Sequence, residues 1–415
     1  MRQMRVLQIA HDHADWTPGG SEIVAQDLAR ALAARPGITA RLLVAATSLQ
    51  RPDAAPGALG ARGGDLVLRT GAYDRFAMAR LDGEDWIAGL GRALAAARPD
   101  VAHLHGVDRI GAEVIPALRR LSPRCRIVLT LHDYAPICPN DGLMLTRPEG
   151  ARCHGASADA CARCFPGLGA VRHALRRAQI QAMLAGVDLF LAPSAFLRDR
   201  YVDWGIAPSR IEIVPNAVAL AAPPDEPART GPRNHFAFFG NVAPHKGTLT
   251  LLDAAARLRE AGADVAVTIH GGLGWADDAF RAAFAAALAA AGPVARHAGP
   301  YAREEAIGLM RQADWIVAPS LWWENAPLVL AEARAAGRPA IVSGIGGMAE
   351  LVAHGRDGLH VPPGDAAALA ATMRAAARDP KLWRRLAAAQ APADHAGFVD
   401  AHLALYHRLL RRIAA

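Results

Sequence analysis

Two glutamates that enclose seven residues, Glu324 and Glu332, stand in the stretch LWWENAPLVLAEARAAGRPAIVSGIGGMAELV (321–352). Between them Asn325 suits a helix N-cap and Pro327 a first turn, so a helix is expected to open there. Glu324 then belongs to the loop ahead of the helix, with Glu332 about two turns inside. Seven helical residues rise roughly 10 Å, about the reach from a sugar ring across a diphosphate to a ribose. The helix start between them would offer backbone N–H groups to that diphosphate.

Lysine is the second signal. Of the 46 basic residues only Lys246 and Lys381 are lysine, and arginine fills the rest. Lys246 lies between the apolar run HFAFFG (235–240) and the helical GTLTLLDAAARLREA, at the carboxyl end of an expected parallel strand. A mobile point charge there suits phosphate oxygens. Near the start, PGGSEIVAQDLARALAARPG (18–37) places two glycines between a strand and an amphipathic helix, and Gly20 would permit close backbone approach to a ligand. By contrast GGLGWA (271–276) lacks the last glycine of a dinucleotide fingerprint.

The stretch 133–168 breaks the rhythm of the chain with little periodicity and four cysteines, Cys138, Cys153, Cys161 and Cys164. Cys161-x-x-Cys164 has the spacing that lets two thiolates share one metal, and Cys138 and Cys153 would complete a tetrahedral structural zinc. A reactive pair or unrelated free thiols are the alternatives. Cys125 stands apart in the preceding strand.

These residues need elements to hold them. Short Val/Ile/Leu runs at 4–10, 40–46, 100–105, 126–132, 188–194 and 211–216 alternate with helical stretches such as 20–35, 84–97 and 169–185. The alternation restarts at 235–240, 264–270, 314–320, 339–343 and 358–362. Apolar strands separated by helices argue for parallel sheets covered on both faces. The expected organisation is an N-terminal domain over 1–216 carrying the cysteine-rich insertion 133–168, a linker at 217–234, a second domain over 235–390, and a C-terminal helix within 391–415 packing back on the first.

The 52% hydrophobic content is inflated by alanine, and no apolar run reaches the length of a membrane span. The N-terminal apolar stretch runs straight into His and Asp, which argues against a signal peptide and for a cytoplasmic protein. Net charge +7 and a pI near 9.6 suit an anionic partner. Nucleic acid is excluded by the lack of aromatic–basic interleaving and of zinc-finger spacing. The stretch GAVRHALRRAQIQAML (169–184) places Arg172 with Arg176 and His173 with Arg177 at i,i+4. A basic face toward anionic lipid at the inner membrane surface is one reading of it, and a solvated face is the other.

Together, Gly-x(5)-Lys-Gly after a strand, Glu-x(7)-Glu, EARAAGRPAIVS, the Gly-Gly at 346–347, PGGSE, PDVAHLHG (99–106) and LTLHD (129–133) resemble the retaining nucleotide-sugar glycosyltransferases of family 4. The resemblance implies the GT-B fold, two doubly wound, Rossmann-like parallel-sheet α/β domains facing across a cleft. It implies a hexosyltransferase of polysaccharide or cell-envelope synthesis, with a nucleotide-diphosphate sugar as donor and a glycan or lipid-linked acceptor. Lys246 would contact the diphosphate, and Glu324 the hydroxyls of the transferred sugar, with Asn325, Ala326 and Leu328 nearby. Glu332 would bind the ribose, Gly20 would let the first domain's loop approach the diphosphate, and His132 would lie beside the donor sugar. No Asp-x-Asp occurs, so no metal cofactor is expected for catalysis. One departure stands out: the family often has an arginine where this chain has Asn241, and Arg311 or Arg198 would have to replace it. A nucleotide-sugar binder without turnover is the competing reading.

Overall fold

The computed structural model describes residues 3–17, 19–217, 219, 231–274 and 276–414. Most of the expected linker 217–234 lies outside the described residues, as do Pro18 of PGGSE and Trp275 of GGLGWA. The chain forms two compact units, Met1–Val218 together with Asp394–Ala415, and Ala219–Ala393.

The second unit is a six-stranded parallel sheet in the order Ala295–Gly299, Ala266–His270, His235–Phe239, Trp315–Ala318, Ala340–Ser343, Gly358–Val361. Its inner strands WIVA and AIVS are buried at every position, because helices cover both faces and leave no side for polar residues. The edge strand ARHAG instead alternates, with only Ala295 fully buried. It therefore lacks the apolar run by which its neighbours are recognised in the sequence. Helices 248–260, 278–291 and 366–378 pack Leu251, Leu252, Leu258, Phe284, Leu369 and Met373 against Phe236, Phe238, Val267 and Trp315.

The first unit is an eight-stranded sheet in the order Ile211–Ile213, Leu189–Ala192, Arg126–Thr130, Val101–His105, Met4–Ala10, Ile38–Ala46, Asp65–Arg69, Leu59–Arg62. Only the last pair is antiparallel. Residues 59–69 escape the sequence reading because ALGARGGDLVLR is short and interrupted by glycines, with Gly63 and Gly64 in positive-φ conformations at the hairpin turn. The helix His395–Ala414 lies on this unit: Arg35 pairs with Asp400 at 2.7 Å and Arg408 with Glu212. Among the described residues, no helix is long and apolar enough to cross a membrane.

Candidate functional site

In the second unit the strand order, counted along the chain, runs third, second, first, fourth, fifth, sixth. The order reverses between His235–Phe239 and Trp315–Ala318. Open α/β sheets hold ligands at such a switch point, outside the carboxyl ends of the strands. Lys246 follows the first of these strands and Glu324 the second, so the topology brings the two loops side by side. The Leu321 N–H donates to the His245 carbonyl at 2.8 Å. Gly247, at φ 72°, caps the helix Thr248–Glu260, and a Cβ there would overlap the Pro319 carbonyl oxygen. Only glycine combines that backbone conformation with that approach.

The two side chains meet. Lys246 Nζ lies 2.6 Å from Glu324 Oε1, and the Ser320 hydroxyl donates to the same oxygen at 2.9 Å. Lys246 also stands 5.2 Å from the centroid of the Trp322 ring, which His245 meets edge-on at 5.0 Å. Burial pushes the Glu324 carboxyl upward, but the Lys246 charge and the hydrogen bonds from Lys246 and Ser320 outweigh it and hold the group below its ordinary range. Glu324 is therefore an ionised, buried acceptor beside a cation that remains partly accessible.

The helix after Glu324 starts later than its sequence suggests. It spans Leu328–Ala335 with Pro327, not Asn325, at the N-cap. The reason is tertiary. The Gly347 N–H donates to the Glu324 carbonyl at 2.8 Å, and a Cβ on Gly347 would overlap the Asn325 carbonyl oxygen and lie 3.1 Å from its Cα. This contact holds residues 324–327 as a loop, with Asn325 buried and Ala326 and Leu328 half-buried. Glu332 is the fifth residue of the helix, about one turn in, and is 9% exposed. Among the described residues its carboxylate accepts no hydrogen bond. Burial raises its pKa, opposed only by the charge of Arg303.

The first unit has its own switch point, between Met4–Ala10 and Val101–His105. Gly20, exposed, is the first residue of the helix Gly20–Ala33, with Gly19 as its N-cap. Sequence reasoning missed the group beside it. His11 Nε2, half-buried, pairs with the buried Glu22 Oε1 at 2.5 Å. Burial disfavours both charges, yet the pairing wins, raising His11 and lowering Glu22 to about 2. Among the described residues His11 Nδ1 has no hydrogen-bond partner. The available signal was an acidic residue in the first helical turn after the glycines, 11 residues from a histidine at a strand end. His132 stacks on His105 at 5.3 Å, and its Nε2 lies 3.1 Å from His105 Nδ1. Burial pushes its pKa down to about 4, so the ring is neutral near pH 7.

Two arginines stand as candidates for the place of Asn241. Arg198 belongs to the first unit, where its Nε donates to Asp199 at 2.9 Å, and Arg311 ends the helix Ala306–Arg311. The basic helix also differs from its reading. Arg176 and His173 are each 5% exposed, and the Arg176 guanidinium donates to the carbonyls of Phe76, Pro136 and Ala135 at 2.6–2.7 Å. Two of the four side chains named for a basic face therefore point inward, where bare carbonyls of the insertion need donors.

That arginine is also why the insertion is ordered. With it act the buried Tyr134, Ile137 and Met144, a bridge between Leu145 and Arg152, and a short helix Ala158–Cys164 capped by Ser157. The four cysteines are half-buried, and among the described residues they form no disulfide. Burial pushes the Cys138 thiol up to about 11, with Cys153 and Cys161 close enough to add to the shift. Among the described residues, no three histidine, cysteine or carboxylate side chains are gathered so as to hold a metal ion.

Comparison with known proteins bears on both units. The profile described as "Glycosyltransferase Family 4" matches residues 18–222, and that described as "Glycosyl transferases group 1" matches residues 233–379. A D-inositol 3-phosphate glycosyltransferase of Arthrobacter sp. is 32% identical over 189 residues, covering 40% of this chain and 44% of the relative. A glycogen synthase of Mycobacterium tuberculosis is 32% identical over 208 residues, covering 49% and 48%. The chain thus spans about half the length of the curated relatives it matches. Among solved structures, HepE of Anabaena in complex with UDP and glucose aligns with a TM-score of 0.64 at 17% identity, over 99% of this chain and 100% of that one. Sucrose-phosphate synthase of Thermosynechococcus elongatus aligns with a TM-score of 0.72 at 18% identity, over 98% and 100%. At such identities the likeness speaks to fold alone, and the fold is GT-B.

Proposed function

The chain belongs to the family 4 glycosyltransferases, and from that premise we propose that it moves a hexose, with retention of configuration, from a nucleotide-diphosphate donor to a glycan or lipid-linked acceptor in polysaccharide or cell-envelope synthesis. The observation that carries this reading is the Lys246–Glu324 pair at the strand-order reversal, followed at the next helix by Glu332, a buried carboxylate that accepts no hydrogen bond among the described residues. Lys246 would take the charge developing on the leaving diphosphate, so the transfer would proceed without a catalytic metal. Glu324, Asn325, Ala326 and Leu328 would frame the sugar, and Glu332 would accept from the ribose diol. Gly20 is proposed for the diphosphate side of the first unit. His132 is proposed to act as a neutral ring, whose lone pair suits an electron-poor sugar centre where an imidazolium would repel it. Incubation with a panel of nucleotide sugars, followed by assay of nucleotide diphosphate release, tests the proposal. Binding of a donor with no release over many hours would favour a non-catalytic binder.

Glu332→Ala should raise the donor KM and leave kcat nearly unchanged, because ribose contacts serve ground state and transition state alike. The pH dependence follows from the raised pKa. Glu332 must be ionised to accept two hydroxyls, so donor affinity should fall as pH drops, with a midpoint above the ordinary carboxylate range. The acidic limb should vanish in Glu332→Ala. A kcat defect without a KM change in that variant would move Glu332 out of the donor site.

A structural zinc on Cys138, Cys153, Cys161 and Cys164 is proposed separately. It rests on the cysteine spacing and on Arg176, a buried cation whose hydrogen bonds all go to neutral carbonyls. Four metal-bound thiolates would draw together beside that cation and leave no open coordination position. Elemental analysis of protein purified without chelator should find about one zinc per chain, lost in Cys161→Ser. A zinc-free protein with four titratable thiols would remove the proposal.

A further inference from the structure

Five polar side chains continue inward from His132 through the interior of the first unit. His105 Nδ1 lies 3.1 Å from His132 Nε2, and His105 Nε2 lies 2.8 Å from the Gln8 carbonyl Oε1. The Gln8 amide nitrogen donates to the Tyr406 hydroxyl at 3.2 Å. That hydroxyl is 2.6 Å from His103 Nδ1, and His103 Nε2 is 2.7 Å from the Thr130 hydroxyl. Gln8, His103, His105 and Tyr406 are each 0% exposed, so no solvent competes for these atoms. Tyr406 comes from the helix His395–Ala414, 398 residues from Gln8.

The donors in this chain can be assigned. A carbonyl oxygen only accepts, so the Gln8 contact places a proton on His105 Nε2. His105 is neutral, burial holding its pKa well below the ordinary value, so its Nδ1 carries a lone pair. His132 Nε2 must then be the donor to it, leaving the lone pair of His132 on Nδ1. On the far side, the Tyr406 oxygen accepts from Gln8 and spends its own proton on His103, whose Nε2–H reaches Thr130. Every donor points the same way, and each bond polarises the next. Turning the Gln8 amide over would reverse the whole series and put the proton of His132 on Nδ1. With the phenol in place the amide is tied to His103 and Thr130 and can turn only together with them, whereas without the phenol it turns alone.

We propose that Tyr406 is a positioning residue that sets the tautomer of His132 through Gln8 and His105, presenting the Nδ1 lone pair. The catalytic meaning rests on the role proposed for His132, but the tautomer itself does not. Long-range ¹H–¹⁵N spectra of histidine-labelled protein read ring protonation directly, without any donor present. Wild-type His132 should show its proton on Nε2, and Tyr406→Phe should show a mixture of the two tautomers. Once a donor is in hand, the same variant should lose about two- to tenfold in kcat at unchanged donor KM, the range one hydrogen bond sets. Arg408→Ala, on the same helix, removes the pair with Glu212 and should leave the ring signals as they are. A wild-type His132 protonated on Nδ1 would overturn the proposal even if Tyr406→Phe failed to fold. So would a folded Tyr406→Phe with unchanged ring signals. An Nε2-protonated His132 in a protein that releases no nucleotide diphosphate would leave this inference standing and remove the transferase reading instead.

Discussion

Lys246→Ala should lower turnover by about a hundredfold or more, the usual cost of removing one preorganised group from a developing charge. Two losses combine. The diphosphate would lose its cation, and Glu324 would be left as a buried carboxylate with Ser320 as its remaining close donor. Without Lys246 the burial that already pushes Glu324 upward is opposed only by hydrogen bonds, so the carboxyl should protonate at higher pH than in the wild type. Lys246→Arg should be impaired as well. The lysine ends the tight turn Pro244–Lys246 and sits between the Trp322 ring and Glu324, where a planar guanidinium is bulkier than an ammonium. Steady-state rates of nucleotide diphosphate release in both variants decide the matter. Rates near wild type in both would end the role assigned to Lys246.

Gly347→Ala tests the scaffold and not the chemistry. Its added methyl has no room against the backbone of Asn325, and backbone cannot swing aside as a side-chain tip can. The 324–327 loop must move by an ångström or more, carrying Glu324 with it. Misplacement on that scale costs about a hundredfold in catalysis, so kcat/KM should fall that far. Gly308→Ala provides the control: neither glycine has a positive φ, and a Cβ on Gly308 meets nothing within 4 Å. Backbone strain is absent from both substitutions and the clash is absent from this one, so it should retain most activity. Equal losses in the two variants would show that the contact with Asn325 is not what matters.

The parts of this architecture legible in the sequence were those written in local pattern. The alternation of apolar strands and helices marks both sheets, and Lys246, Glu324 and Glu332 stand out by rarity and spacing. What escaped was written in contacts between distant segments. Ala295–Gly299 is an edge strand without an apolar run, and it pairs because Ala266–His270 offers it a ladder. The helix expected at Asn325 starts at Leu328 because Gly347, some 20 residues later, occupies the space its first turn would need. Arg176 has the i,i+4 spacing of a surface cation, yet it serves carbonyls 40 and more residues away. His11 and Glu22 were visible as residue types but not as a pair. No periodicity could connect Gln8 with Tyr406.

The return of Asp394–Ala415 to the first unit also has a consequence for biosynthesis. A ribosome emits Met1–Val218 before the second unit, but the helix that supplies Tyr406 and His402 to the first unit follows it. The second unit, Ala219–Ala393, is contiguous and can close on itself as soon as its own residues have emerged. The unit begun before its neighbour is therefore completed after it, and until then the buried faces of Gln8 and His103 await their partner.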